Sequence, residues 1–550
     1  MIFKQKIFPI ILAILISICS CKNKNLIDES TVFRYNEHKN INSLDPIFAK
    51  DIANIQAVNQ LFNGLVEMDN KLNVVPSIAK SWEISENGKI YSFKIDTTVK
   101  FHPHPKLKKR NVTAYDFEYS FNRLLDPKNA SPGRWVFDKV DNFKAKNDSI
   151  FEIELKFPFN AFLGILTMKY CSVVPKDIVE YYEEDFRSNP IGTGPFKFKR
   201  WEENIKLVLR KNNDYFQRDL NGSQLPYLEA VSVTFLPEKQ SEFLQLVKGK
   251  VDFISGLDNS YKDEIINIYG ELNENYGNKI NMLRGPYLNT EYLAFFMESE
   301  KNEIKSDLIR KAINIGFDKR KMIKFLRNGV GIPANAGFIP VGLPGYKENN
   351  INKYNPELAK SYVKKFKKQF NMPPSLKLTT SSNYLDFCEF IQKELEKLGI
   401  EIIIDVIPGS ALKQAKANGK LDFFRASWIA DYPDAENYLS LFYSKNFAPN
   451  GPNYTHFSDY EYDKIYENSL RETEPEKSKL IYSRLDSIIS SKSIIVPLFY
   501  DEVIRFVSKN VVGMEINATN LLDLRRVKKI IRDIFSLPRY LPQNHFLRRN

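Results

Sequence analysis

Cysteine is scarce in this chain: four in 550 residues, with Cys19 and Cys21 crowded at the N-terminus and Cys171 and Cys388 far apart. Two distant cysteines define no disulfide framework and lack metal-ligand spacing, so both are expected as buried apolar residues. Histidine is almost as rare, with five residues. So few, so scattered, give little material for acid-base chemistry, and no Gly-x-Ser-x-Gly elbow, His-Glu-x-x-His pair or cysteine-nucleophile signature occurs. The chain therefore reads as something other than an enzyme. Asp431 and Asp434 could serve a glycosidase as paired acids, but their spacing on one turn is not diagnostic. His102 and His104, separated by one proline with no further ligand in view, read as an exposed loop, and no metal or cofactor is expected. Long apolar runs are also missing: after the first twenty residues none reaches the length of about 20 needed to cross a bilayer.

What is present is enough for two or three domains with real cores: 43% hydrophobic and 13% aromatic residues in a chain of this length. The formal charge is +12, of which Lys4 and Lys6 belong to the N-terminal segment. That segment, 1–20, has a basic start, an apolar core at 7–18 and a small residue before Cys21, the pattern of a secretion signal. Ile18-Cys19-Ser20-Cys21 resembles a bacterial lipobox, which makes Cys21 the acylated anchor. A plain cleaved signal with Cys21 left free is the alternative. The basic run 106–110 could meet phosphate groups, but a solvated loop is the reading preferred, and no nucleic-acid partner is expected. Gly192-Thr193-Gly194-Pro195 lacks the Lys-Ser/Thr and the following helix of a phosphate loop.

The most informative stretch is 425–441, RASWIADYPDAENYLSL. Upstream lie a β-rich run at 376–380, an amphipathic helix at 384–398, a second strand at 400–406, a short helical stretch at 411–416 and a third strand at 421–428. A βαβαβ unit of this kind has parallel strands, and ligands on such sheets bind beyond the carboxyl ends of the strands. Asp431 lies at such an end, between Trp428 and Tyr432, where a carboxylate in a partly dry crevice would welcome an ammonium. Asp-Tyr-Pro-Asp is equally ordinary turn chemistry.

The run R-x-x-W-x-x-D-Y-P-D-x-x-N-Y-L, beginning at Arg425, resembles the ligand-binding segment of the extracytoplasmic oligopeptide-binding proteins, the solute receptors of peptide ABC transporters. Other motifs stand in that family's order: Leu44-Asp45-Pro46 followed by a helical pattern at 55–66, Ala79-Lys80-Ser81-Trp82, an Asn87-Gly88 hairpin, a Thr113-capped helix, Gly192-Thr193-Gly194-Pro195, and Gly249-Lys250-Val251-Asp252-Phe253. Two departures stand out. The family's short acidic turn is replaced by the Pro- and Lys-rich 103–110, and Phe295-Phe296 stand where many relatives carry an Asn.

The resemblance implies an α/β, two-lobed periplasmic-binding-protein-like fold hinged by two crossing segments, with strands at 292–297 and 496–500. It implies a signal at 1–20, a tether at 21–32, a first-lobe core at 33–75, 191–288 and 504–529, an added subdomain at 76–190, a second lobe at 289–503 and a basic tail at 530–550. Asp431 would receive the α-ammonium of an extended oligopeptide. Trp428 and Tyr432 would line the site, and Arg425 would meet the peptide carboxylate or a structural acid. The partners implied are ABC permease subunits and membrane lipid. The chain would be a monomer on the extracytoplasmic side of a bacterial membrane. The same fold could instead hold a dipeptide, cell-wall peptide, nickel chelate, haem or oligosaccharide.

Overall fold

The computed structural model describes residues 31–106 and 108–530. Cys21 with its signal segment, and 531–550 of the expected tail, lie outside them. Among the described residues, one ten-strand path runs through both lobes: Glu401–Val406, Ser375–Thr380, Phe423–Ile429, Ile280–Phe295, Ile495–Ser508, Phe253–Ser255, Val32–Asn36, Ala230–Thr234, Lys206–Lys211 and Phe196–Glu202. The two long central strands, Ile280–Phe295 and Ile495–Ser508, are the crossing segments. Each begins or ends well outside the short apolar stretch that its sequence signals, because the polar residues of 280–290 and 501–505 follow the neighbouring strand's ladder rather than an apolar pattern.

The crossing strands pair antiparallel from Ile280 opposite Ser508 to Ala294 opposite Ile495, but the ladder slips between Pro286 and Thr290 and again between Glu291 and Tyr292. Proline at 286 removes a ladder donor, and an interrupted ladder is where two packed bodies can bend. The slip lies between the lobes.

In the first lobe, Phe33, Val58, Leu61, Phe196, Val231, Val233, Phe253, Val507 and Leu524 form one buried cluster. A separate four-stranded antiparallel sheet, ordered Ala79–Ile84, Ile90–Ile95, Ile150–Leu155 and Val140–Asn147, is covered by the helix Ala114–Leu125. Phe93, Phe117, Phe121 and Phe151 are fully buried between them. Burying each such ring contributes about 1.5–3 kcal/mol, so this sheet has a core of its own. The hairpin turns at Gly88, whose φ of +69° suits a residue without Cβ. In the second lobe, Ser375–Thr380 pairs parallel with both Glu401–Val406 and Phe423–Ile429, with the helices Leu385–Glu396 and Gly409–Ala417 as connections. This is the βαβαβ unit expected from the sequence.

Gly192 and Gly194 are explained by close approach. A Cβ at Gly192 would lie 2.1 Å from the Leu61 carbonyl oxygen, and one at Gly194 would lie 2.4 Å from the Leu61 carbonyl carbon. The loop is held by His102, which is buried and not on an exposed loop. The Gly192 N–H donates to His102 Nδ1 at 3.3 Å, and Nε2 lies 2.9 Å from the Gly194 carbonyl oxygen. Burial pushes this imidazole down to about 4, consistent with a neutral ring donating through Nε2. The basic run is likewise tied down: Lys109 pairs with Asp214 at 2.6 Å, and Arg110 bridges Asp116 and Asp177 at 2.8 and 2.9 Å. Cys171 and Cys388 are buried free thiols.

Candidate functional site

Phe423–Ile429 delivers its carboxyl end to a cavity of about 400 Å³ between the lobes. The first lobe contributes Asn63, Glu67, Trp135, Met168, Lys169, Tyr215 and Arg525, among others, and the second contributes Tyr287, Ile429, Ala430, Asp431 and Pro433. Tyr287 comes from the slipped stretch of the crossing strand. A wider groove of about 970 Å³ lies on the first lobe alone, between residues such as Asp45, Arg123 and Glu184, with no wall from the second lobe. The inter-lobe cavity has walls from both lobes.

Asp431 is exposed to this cavity yet hemmed in by protein, and the resulting loss of hydration lifts its carboxyl above the ordinary range, while the Asn437 side chain beside it pulls the other way. No cation among the described residues forms an ion pair with it. Its backbone N–H donates to Asn437 Oδ1 at 3.1 Å, and Trp428 Nε1 donates to the same oxygen at 2.9 Å. One amide thus fixes both the end of the strand and the turn that follows.

The other residues singled out in the sequence do different work. Trp428 is half-buried in the second-lobe core. Tyr432 turns away from the cavity: its ring joins the apolar cluster of the added subdomain, 6.4 Å from Trp135, and its hydroxyl donates to Glu436. It therefore packs one lobe onto the other. Arg425 is buried and does not line the cavity; it pairs with Glu291 and lies 3.1 Å over the Tyr384 ring. Burial opposes its charge, but Glu291 and Tyr384 outweigh that cost and hold it above the usual guanidinium value. Of the two partners offered by the sequence reading, the structure supplies the acid. Asp434 accepts from the Glu436 N–H at 2.8 Å, and burial pushes its carboxyl up to about 6. It is absent from the cavity wall, so Asp431 and Asp434 do not face a common substrate there.

The chain's central part, residues 73–450, matches the family model for bacterial extracellular solute-binding proteins, family 5 (middle). The chain belongs to the family-5 extracellular solute-binding proteins. The dipeptide-binding protein DppE of Bacillus subtilis is 22% identical over 528 residues, covering 90% of this chain and 92% of that one. The probable deoxycholate-binding periplasmic protein YgiS of Escherichia coli K12 is 25% identical over 522 residues, covering 88% and 91%. Among solved structures, the periplasmic binding protein DppA of Helicobacter pylori, in complex with the peptide STSA, superposes with a TM-score of 0.74 at 24% identity, covering 90% of this chain and 98% of that one. At that identity it is the two-lobed fold that is shared. In this family-5 protein no described helix is long and apolar enough to cross a membrane.

Sequence reading missed the first-lobe wall of this family-5 cleft. Arg525 pairs with Glu67 at 2.7 Å and with Asp523 at 2.6 Å, and also donates to Gln217 Oε1 at 2.6 Å. Lys169 lies beside that group without an ion pair among the described residues. Burial, helped by nearby Arg525, pushes its ammonium down to about 8, with Glu67 and Asp523 opposing. No local motif signals these positions, since 67, 169, 217 and 523–525 meet only after folding.

Proposed function

We propose that this protein captures short extended peptides in the inter-lobe cleft and presents them to the permease of an ABC importer, with Asp431 receiving the α-ammonium. The observation that supports it is a carboxylate without a cation partner on the cavity wall, at the carboxyl end of a parallel strand, where an incoming ammonium would recover the hydration that the site denies. Backbone hydrogen bonding along an extended guest lets such a site accept varied side chains, while a charged end fixes register. Relatives named for dipeptide binding, and a neighbour solved with a peptide, agree with this reading.

Trp428 and Tyr432 serve the site by holding the turn and the closed lobes, and Arg425 braces the strand from behind through Glu291. The acyl chain carried by Cys21 tethers the protein to the extracytoplasmic face of a bacterial membrane. The test is calorimetric titration of a randomised tripeptide pool, free or N-acetylated, against the wild type and Asp431→Asn. The wild type should prefer the free form by about 10- to 100-fold, and the variant should lose that preference. Equal binding of both forms to the wild type would sink the assignment.

A further inference from the structure

The described residues begin at Thr31 and end at Ile530, and both ends lie on one face of the first lobe. The Thr31 carbonyl accepts from the Glu229 N–H at 3.2 Å, and Lys529 Nζ donates to the Val32 carbonyl at 3.0 Å, so the returning chain is fastened to the strand that opens the fold. Lys528, opposite Val512 in a short antiparallel pair, holds its ammonium 3.7 Å over the Tyr227 ring. The Tyr227 hydroxyl in turn donates to Asp219, at the base of the loop whose tip is Leu220.

Two features of this face have no use inside the fold. Leu220 is completely exposed, although its loop is well tied: Asp219 Oδ1 accepts from the Asn221 and Ser223 N–H groups at 2.9 and 2.7 Å. Val512 and Ile530 expose further apolar surface beside Lys528. Arg218, Arg526 and Lys528 are exposed and form no ion pair among the described residues. The neighbouring acids are engaged elsewhere, Glu229 by Lys211 at 3.0 Å, Asp252 by Lys529 at 2.9 Å and Asp523 by Arg525 at 2.6 Å. The face is therefore apolar at its tips and positive around them, which suits the headgroup boundary of an anionic bilayer.

Beyond Ile530 the sequence continues in the same chemistry: 531–550 sets Arg532, Arg539, Arg548 and Arg549 against one acid, Asp533, and interleaves them with aromatic residues at 535, 540 and 546. The stretch from Cys21 to Thr31 reaches at most about 35 Å when fully extended, so an acyl chain on Cys21 would keep this same face close to the bilayer. We infer that the face around Leu220 and Lys528, continued by 531–550, rests on anionic phospholipid as a second membrane contact that does not need the acyl chain. A tether alone holds a protein near the membrane and leaves its orientation open; a second contact sets the first lobe down on the surface. The second lobe contributes no residue to this face and stays free to close over a ligand. The inference takes from the proposed anchor only which side faces the membrane, and it is tested without that anchor.

The experiment is vesicle flotation with the chain 22–550, which keeps every described residue and carries no acyl group. It should partition onto vesicles of equal parts phosphatidylglycerol and phosphatidylcholine at least about tenfold more strongly than onto phosphatidylcholine alone, and salt should weaken the binding. One basic residue near such a surface is worth about fivefold, so Arg526→Glu with Lys528→Glu, and separately removal of 531–550, should each weaken partition by at least about tenfold. Leu220→Ser should weaken it while leaving the salt dependence unchanged. All of these changes fall on exposed or undescribed residues, and an unchanged thermal unfolding midpoint shows that the fold is kept. Equal partition of 22–550 onto both kinds of vesicle overturns the inference. Binding to anionic vesicles that survives both the charge reversal and the removal of 531–550 places the contact elsewhere and overturns it as well. Mass spectrometry of the protein from its native membrane reads the acyl group on Cys21 separately, so failure of the anchor and failure of the lipid contact are told apart.

Discussion

The side-chain oxygen of Asn437 sits 3.1 Å from the backbone nitrogen of Asp431 and accepts its hydrogen bond. Asn437 is itself buried, and the same oxygen also receives the Trp428 indole N–H. Asn437→Leu would leave two donors in the turn without an acceptor, at roughly 1–3 kcal/mol each where water cannot replace it. The expected result is a loss of about 2 kcal/mol in denaturant unfolding and about tenfold weaker binding of free peptides. Trp428→Phe, which removes one donor and no acceptor, should have the smaller effect on both. An Asn437→Leu protein with unchanged peptide affinity would show that the turn does not need this clamp.

Peptide affinity should depend on pH through Asp431. Its carboxyl is raised by the loss of hydration within the protein, and an ammonium partner would pull it down, so a complex would hold fewer protons than the free protein. Affinity is then fully present above the raised value and falls as pH drops through it, at a higher pH than an ordinary aspartate near 3.9 would give. Calorimetry in buffers of different ionisation enthalpy should detect proton release on this acid limb. Asp431→Asn should remove the limb; its persistence in that variant would assign it to another group.

Arg425 and Glu291 form a buried pair, and the energetics of such pairs are asymmetric. Arg425→Met or Glu291→Gln alone strands a charge and should cost about 3–5 kcal/mol. The double variant should recover most of that loss. A double-mutant cycle by equilibrium unfolding measures it, and strictly additive losses would show that the two side chains are not coupled. If Arg425 is a brace and not a ligand contact, the double variant should also keep the preference for free over N-acetylated peptides.

Tyr432 belongs to the second lobe but packs in the first-lobe subdomain, so its contribution is to closure and not to charge recognition. Tyr432→Ala should weaken free and N-acetylated peptides alike, by about tenfold, from lost burial of one ring. Small-angle scattering should show a more open average shape for the variant than for wild type. A loss confined to the free form would place Tyr432 at the ammonium instead.

Much of this protein was legible along the chain because the information is local. The alternation and helical spacing at 376–428 specify a βαβαβ unit without reference to anything distant, and topology then puts Asp431 at a strand's carboxyl end. The Asn87-Gly88 hairpin is legible for the same reason. What the sequence could not decide is which charges remain unpaired. Arg425 reads as meeting either a ligand carboxylate or a structural acid, and only folding brings Glu291 beside it from 134 positions away. His102 reads as a loop residue until the Gly192–Gly194 segment wraps around it. Arg525 and Lys169 are both cations on one wall, yet Arg525 is spent on Glu67 and Asp523 while Lys169 forms no ion pair among the described residues. Pairing depends on which side chains lie within a few ångströms in space, and only the closed packing of two lobes sets those distances.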